Sequence, residues 1–372
     1  MAKKTSKKNI LKNLRIKNFR CFENFELKNL KRVNIFVGDN NSGKSSVLEA
    51  VGFLYPTVRN YVDIVASRES SIYRHSAMIG ISTGRFQFSK LDYLFHKKKT
   101  DLNKIQISSE LNDSIIDVSM SISRDDIFLN RNAMRRYGGE AEPIFKEDIK
   151  TFVVDYKYKK ISQQIGFSNI GAGKSSIDGF EEYDIELLFD SIPSTKEVTM
   201  KWNKIIENSG LEAEAKYIKL LQKFDPEITN IRTKLGEDLL FFKKEGYETN
   251  LSNMGNGFKK FFDILLTAEL MSKRSDKLKI LCIDEIDNGL YHDKQDLFWE
   301  QIIKLCEEYN IQLFATTHSY DSLKNISKIA LNDKYEDVLQ VVRLEKFDGK
   351  ILQTKISQEE LETMIKNHYE IR

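Results

Sequence analysis

Arg32 to Phe36 reads as a buried strand that Gly38 ends, and the chain then reads Gly38-Asp39-Asn40-Asn41-Ser42-Gly43-Lys44-Ser45 before a helical pattern takes over from Lys44 to Leu54. Strand, glycine-bearing loop and helix in that order fit G-x-x-x-x-G-K-[ST], in which successive backbone N–H groups and a helix N-terminus surround phosphate oxygens. The glycines let the backbone approach a bulky anion. On this pattern Gly38, Asn40, Asn41, Ser42, Gly43, Lys44, Ser45 and Ser46 form a nucleotide phosphate site. Lys44 would reach the β- and γ-phosphates, and the Ser45 hydroxyl would be a ligand of the Mg²⁺ that bridges them. A second string, Gly171-Ala172-Gly173-Lys174-Ser175, imitates the first, but Ser168 stands where the leading glycine is required. No long apolar strand leads into it, so a polar loop is expected there.

Two later apolar strands also end in reactive side chains. Lys279 to Ile283 runs into Asp284 and Glu285. In phosphate-loop enzymes the first such acid holds the Mg²⁺ shell, and the next polarises the water that attacks the γ-phosphate. The plain alternative is a pair of ordinary strand-end carboxylates. Leu313 to Thr316 runs into Thr317, His318 and Ser319. A histidine there can donate to a terminal phosphate while its other ring nitrogen is fixed by a neighbour, although a strand-end histidine standing alone is more often structural.

Composition removes several other classes. Of the 372 residues, 41% are hydrophobic and 30% charged, a globular balance that excludes disorder, and no apolar run is long enough to span a bilayer. The basic opening, Met1 to Asn13, lacks an apolar signal core, so a cytoplasmic protein without a membrane partner is expected. Cys21, Cys282 and Cys306 contain no C-x-x-C pair, so neither disulfides nor structural zinc are expected. Lys plus Arg number 58 against 55 for Asp plus Glu, and a net charge of +3 does not by itself mark a nucleic-acid binder. Local basic clusters are Lys3, Lys4, Lys7 and Lys8, then His96 to Lys99, then Arg131, Arg135 and Arg136. They read first as solvated tails and loop tips, with phosphate-backbone binding as the alternative.

The remaining pattern predicts strands over Leu14 to Phe19 and Phe22 to Leu27, an antiparallel hairpin of Lys104 to Leu111 with Ser114 to Arg124, and a further strand over Phe152 to Ile161. Helical periodicity runs from about Glu181 to Gly236, broken at Pro193, Gly210 and Pro226, and resumes after Asn250 through Met271. A helix from about Asp293 to Tyr309 lies between the two reactive strands. The ending is a hairpin, Val338 to Glu345 with Lys350 to Lys355 around Asp348-Gly349, then a helix whose Ser357 and Glu360 form a capping box. We therefore expect an α/β P-loop NTPase with a mainly parallel core sheet, an antiparallel β flank and a helical insertion. It would form one discontinuous domain over residues 1–372, with the core from 1–56 and 251–372, the flank from 57–180 and the insertion from 181–250.

Gly38 to Ser45, then Leu251-Ser252-Asn253-Met254-Gly255-Asn256-Gly257, then CIDEIDNGL from Cys282, then FATTHS from Phe314, resemble in order and spacing the ABC-type ATPase heads of the RecF/OLD-like family. The opening LRIKNFRCFENFEL from Leu14 and the closing hairpin and helix are similar to that family too, so the resemblance covers nearly the whole chain. It implies that Ser252, Gly255, Asn256 and Gly257 open a helix facing ATP held by a second subunit, so that two heads sandwich two nucleotides in a homodimer, with higher oligomers open. The plain alternative is an ordinary helix N-terminus capped by Ser252 or Asn253. Met254 stands where ABC transporters place serine, and Tyr291 where relatives often have histidine. Asp287-Asn288-Gly289 would be the stretch that communicates across the dimer. Arg20 resembles a basic residue that touches phosphates in related heads, and Gln87 is the candidate for the glutamine loop.

The function so implied is a Mg²⁺-dependent ATPase whose dimer closes around ATP, with Lys44, Glu285 and His318 as catalytic residues and Ser45 and Asp284 at the metal. Larger OLD-type nucleases carry a TOPRIM domain after the ATPase. Here the closing hairpin and helix occupy the stretch after His318, so a nuclease or toxin effector is expected on a separate chain. Compact relatives of this kind resemble the ATPase components of bacterial anti-phage and abortive-infection systems. Alternatives are a RecF-like DNA repair clamp, which would bind DNA as the closed dimer, and a nucleotide sensor without hydrolysis, against which Glu285 argues. A small-molecule kinase would need neither the Asp284-Glu285 tandem nor the glycine signature.

Overall fold

The computed structural model describes residues 10–55, 94–98, 104–123, 151–168, 171–172, 183–188, 193–233, 240–274, 277–330, 335 and 337–367. In chain order the elements are β1 (Asn13–Phe19), β2 (Phe22–Lys28), β3 (Val33–Val37), α1 (Lys44–Phe53), β4 (Ile105–Leu111), β5 (Ser114–Ser123), β6 (Thr151–Tyr158), β7 (Ile161–Ser168), β8 (Gly171–Ala172) and β9 (Tyr183–Leu188). They continue with α2 (Thr195–Leu221), β10 (Ile228–Thr233), β11 (Leu240–Lys244), β12 (Tyr247–Asn250), α3 (Asn256–Ser272) and β13 (Leu278–Ile283). The last are α4 (Gln295–Glu308), β14 (Ile311–Thr316), α5 (Tyr320–Ala330), β15 (Leu339–Phe347), β16 (Lys350–Ile356) and α6 (Gln358–Lys366).

Two compact units share this chain. The first takes Met1–Lys31, Gly38–Leu187 and Leu344–Thr354, and the second takes Arg32–Val37, Leu188–Arg343 and Lys355–Arg372.

The first unit is built on an antiparallel sheet in the order β2-β1-β4-β5-β6-β7-β8. Alternation sets which face is buried: Leu14, Ile16, Ile105, Ile107, Leu111, Ile116, Val118 and Met120 are all 1% exposed or less. The expected hairpin is present, with Leu111 opposite Ser114 and the turn residues Asn112 and Asp113 at φ 51° and 57°. Both central residues at positive φ give the turn whose twist matches the strands, and Asn and Asp tolerate it best after glycine. Helix α1 packs on this sheet, with the ring of Phe53 edge-on to that of Phe19 at 5.6 Å. Gly171-Ala172, expected in a polar loop, pairs as β8 with Phe167 and Ser168.

The second unit has a parallel core with β15, β3, β14 and β13 side by side. Every residue of β3, β13 and β14 is buried, as strands covered on both faces require. Asn34, fully buried on β3, donates to the carbonyl of Leu313 on β14 at 3.1 Å and accepts from the Gln340 amide of β15 at 2.6 Å. Burial pushes the thiols of Cys282 and Cys306 up, the latter to about 12, which leaves both inert at neutral pH.

The expected helical periodicity from 181 to 236 holds over α2, which is interrupted at Gly210 (φ 59°, ψ −149°). The stretches on either side are strands instead. β9 carries the period-two sequence YDIELL, and β10 carries ITNIRT, whose β-branched residues favour an extended backbone. β10, β11 and β12 form a three-stranded antiparallel sheet that leads directly into the signature segment at Leu251. Helix α6 starts with the predicted capping box, in which the Ser357 side chain accepts from the Glu360 N–H and Glu360 from that of Ser357. Gln87, Lys3, Lys4, Lys7, Lys8, Lys99, Arg131, Arg135, Arg136 and Gly173 to Ser175 lie outside the described residues.

Replacing Asn34 alone by leucine strands the buried Gln340 amide and should lower stability by about 1–3 kcal/mol, whereas the double replacement Asn34→Leu with Gln340→Leu should recover most of that loss. Urea unfolding of the three variants checks it.

Candidate functional site

The phosphate-loop segment lies in the first unit. Gly38 and Gly43 have φ of 132° and 97°, and Asn41 joins them at 66°. A Cβ on Gly38 would meet the Leu344 carbonyl oxygen at 2.1 Å, and one on Gly43 would meet the Cys21 Sγ and the Phe22 ring at 2.9 Å. Both positions therefore exclude a side chain on steric and conformational grounds. Lys44 is 5% exposed, and its ammonium donates to the carbonyls of Gly38 at 2.7 Å and Asp39 at 2.6 Å. It thus closes the loop on itself, and α1 starts at once, with the Val47 N–H on the Gly43 carbonyl at 3.0 Å. Ser42 and Ser46 are buried, Ser45 half-buried, and Asn40 and Asn41 exposed.

Arg20 sits in the tight β1–β2 turn at φ 52°, its N–H bound to the Leu94 carbonyl at 2.7 Å and its carbonyl beside the His96 Nδ1 at 3.1 Å. Its guanidinium grips Glu49 of α1 with two bonds of 2.8 and 3.2 Å. The two side chains are 10% and 2% exposed, so this is a buried, bidentate pair. The structure thus brings Arg20 to α1 through a carboxylate that the motif did not announce.

The acids and the histidine lie in the second unit, at the carboxyl ends of β13 and β14. One hydroxyl organises them: Thr316 Oγ1 accepts from the Glu285 N–H at 2.8 Å and donates to Asp284 Oδ1 at 2.5 Å. The Ile286 N–H reaches the Thr316 carbonyl at 3.0 Å. Glu285 leaves the strand at φ 47°, exposed, with its Oε2 accepting from the Asn288 amide at 3.2 Å. From α3, the buried Lys260 donates to the carbonyls of both Asp284 and Glu285 at 2.7 Å.

A second network fixes the segment around His318. Asp287 is 7% exposed, and its Oδ2 accepts from Thr317 Oγ1 at 2.9 Å and from Ser322 Oγ at 2.5 Å. The Ser319 N–H returns to Thr317 Oγ1 at 3.0 Å, and Ser319 Oγ accepts from the Ser322 N–H at 3.2 Å as α5 begins. His318 is exposed between these anchored neighbours.

The glycine signature lies in the same unit. The side chain of Asn250 accepts from the Asn253 N–H at 3.2 Å and from the Ser252 hydroxyl, so Asn250 caps the short turn that opens the signature. The N-cap of helix α3 is Gly255, which has no side chain to cap it, so neither Ser252 nor Asn253 is its cap. Gly255 and Asn256 are exposed and Gly257 is buried. A Cβ on Gly257 would stand 2.3 Å from the Gly289 carbonyl oxygen, and one on Gly289 would stand 2.9 Å from the Gly257 nitrogen. The structure therefore brings the signature and the Asp287-Asn288-Gly289 stretch into backbone contact. Thr316, Lys260, Ser322 and Glu49 carry these arrangements without having been singled out from the sequence. A hydroxyl ending a buried strand was a usable signal for Thr316, whereas Lys260, within a run of lysines and phenylalanines, carried none.

A family model described as an AAA ATPase domain matches residues 10–321. An "ATP/GTP phosphatase" from Helicobacter pylori is 24% identical over 380 residues, covering 96% of this chain and 98% of that protein. The "DNA replication and repair protein RecF" of Streptococcus thermophilus is 23% identical over 359 residues, covering 85% of this chain and 94% of that one. Among solved structures, an Smc head domain with an extended coiled coil, derived from Pyrococcus furiosus, aligns with 96% of this chain and 99% of its own at 12% identity and a TM-score of 0.44.

Gly257→Ala must push the Gly289 backbone aside and should destabilise the protein by about 1–3 kcal/mol. Gly255→Ala, whose Cβ meets nothing within 4 Å, loses only the preference for glycine over alanine at a helix N-cap and should cost less, about 0.5 kcal/mol. Thermal unfolding of the two variants side by side tests the contrast.

Proposed function

Since the chain belongs to the AAA ATPase domain family, we propose that it is a Mg²⁺-dependent ATPase that pairs with a second copy of itself around ATP and uses the open-to-closed change as a switch. The observation that carries the reading is the acid turn: a carboxylate on the end of a buried parallel strand, oriented by Thr316, followed at once by an exposed glutamate in a left-handed turn. Parallel sheets place ligands outside the carboxyl ends of their strands, and β3 ends at Val37, one residue before Gly38.

In this reading the loop N–H groups from Gly38 to Ser46 bind the phosphates, and Lys44 exchanges carbonyl partners for phosphate oxygens. Ser45 and Asp284 would hold Mg²⁺, which when bound would supply charge neutralisation at the phosphates. Hydroxyl and carboxylate oxygens are the hard donors this ion takes, and it commonly uses one or two protein ligands with phosphate and water completing its shell. Among the described residues no group of three or more His, Cys, Asp or Glu is placed to hold a metal ion. Glu285 orients and polarises the attacking water, and His318 donates to the terminal phosphate. Ser252 and the uncapped turn at Gly255, Asn256 and Gly257 would face the nucleotide of the second copy, with its N–H groups as donors.

The resemblance of the four motifs to compact defence ATPases supports an extension: the switch restrains or delivers a separate nuclease or toxin. A second reading, a DNA repair clamp, is favoured by the RecF likeness. DNA binding that requires ATP and weakens steeply with salt would select the clamp, and its absence the protein switch. No helix among the described residues is long and apolar enough to cross a membrane.

Lys44→Ala should abolish detectable ATP and GTP binding by calorimetry. Glu285→Gln should bind normally, hydrolyse at least about a hundredfold more slowly and accumulate a dimer in size-exclusion runs with ATP. Equal phosphate release by Glu285→Gln and the parent would remove Glu285 from its role.

A further inference from the structure

We propose that Lys260 is the positioning residue that holds the Asp284-Glu285 turn in its working geometry and makes that geometry depend on the first turns of α3. Its functional readout rests on the hydrolysis reading above, and its geometric readout does not.

Lys260 is 3% exposed, and both short bonds it makes at this turn go to backbone carbonyls, those of Asp284 and Glu285 at 2.7 Å each. Consecutive carbonyls converging on one ammonium fix the orientation of two adjacent peptide planes, and charge-assisted bonds of this kind are the strong ones. The turn needs such fixing. Glu285 has φ 47°, a left-handed conformation that a residue with a Cβ keeps only where its surroundings over-determine it. Thr316 supplies the restraint on the N–H side of Glu285, and Lys260 supplies it on the carbonyl side of both acids.

The same helix end is held twice more. Lys259 reaches back to the Ser252 carbonyl at 2.8 Å, and Gly257 lies against Gly289 with no room for a Cβ. Neighbouring lysines on α3 thus bind opposite neighbours, one the segment before the helix and the other the acid turn. A displacement of the α3 N-terminal turn, of the kind a ligand at Gly255 to Gly257 would produce, is carried by Lys260 to the peptide planes from which Asp284 and Glu285 project. This is positioning, since Lys260 acts on the acids through their main chain.

The test compares Lys260→Met, Lys260→Arg and Lys201→Met in the full chain. Lys201 is the control because it makes another charged contact to α3, with Asp263 at 2.6 Å and Thr267 at 2.9 Å, away from the acids. Lys260→Met should lower ATP turnover by about tenfold or more while nucleotide affinity stays within about twofold of the parent. Lys260→Arg, which can donate to both carbonyls, should recover most of the turnover, and Lys201→Met should keep it even where its melting temperature falls as far as that of Lys260→Met. Hydrogen exchange of the peptide spanning residues 281–291 should speed up in Lys260→Met and not in Lys201→Met. Parental turnover in Lys260→Met, equal losses in Lys260→Met and Lys201→Met, or unchanged exchange would each overturn the assignment. If the parent hydrolyses neither ATP nor GTP, the hydrolysis reading fails and the exchange comparison decides the role of Lys260 alone.

Discussion

Parallel strands buried on both faces cannot slide past one another without breaking a ladder of hydrogen bonds and a packed core together, and the register of β3, β14 and β13 is held in this way. Thr316 stands opposite Phe36, and Ile283 opposite Ala315. Asp284, the next residue after Ile283, is therefore level with Thr316, and the bond between their side chains follows from the register. A slip of one residue would carry the threonine away from the carboxylate and put a polar side chain into a layer of isoleucine, leucine and phenylalanine. Asn34 and Gln340 add a polar check on the same alignment, because each satisfies the other only where the strands now stand. The chemistry at the strand ends is thus a by-product of core packing.

Close approach between loops is the second constraint, and it is met by removing side chains. Gly257 and Gly289 each occupy the space that the other's Cβ would need. The signature turn and the turn after the acids can touch through main chain only because both residues are glycine. Gly38 and Gly43 do the same within the phosphate loop, against Leu344 in one case and Cys21 and Phe22 in the other. Two of the motifs are therefore defined by what is missing from them.

That physical origin also explains what was legible in the sequence. The loop from Gly38 to Ser45 is contiguous, and its conformation is dictated locally, so it could be read directly. The capping box at Ser357, the turns at Asn112-Asp113 and Asp348-Gly349, and the fully apolar strands β13 and β14 were readable for the same reason. β9 and β10 were not, because each is only six residues long and lies beside the strong helical period of α2, which dominates any longer window. Partners distant along the chain were silent too. Thr316 answers Asp284 from 32 residues away, and Arg20 meets Glu49 over 29. Lys260 belongs to a run of lysines and phenylalanines in which a charged residue reads as solvent-facing until its two carbonyl partners are seen.

Helix α3 consequently joins more of the second unit than its length suggests. At its N-terminal end it touches Gly289 and binds the acid turn. Further along, Asp263 and Thr267 take Lys201 of α2, and Glu269 shares its Oε2 between Lys216 of α2 at 2.8 Å and the Tyr309 hydroxyl at 2.7 Å. Between these polar links the rings of Trp202 and Tyr217 meet that of Phe262 at 5.9 and 6.2 Å. Aromatic contacts of this kind resist shear, and half-buried ion pairs resist separation, so α2 and α3 are held together along their shared length. A helix that is anchored at several points along one side and bonded at its tip to two consecutive carbonyls cannot rotate without turning those carbonyls. The position of Glu285 is accordingly tied to the tip of α3, through Lys260, as well as to the strand it follows.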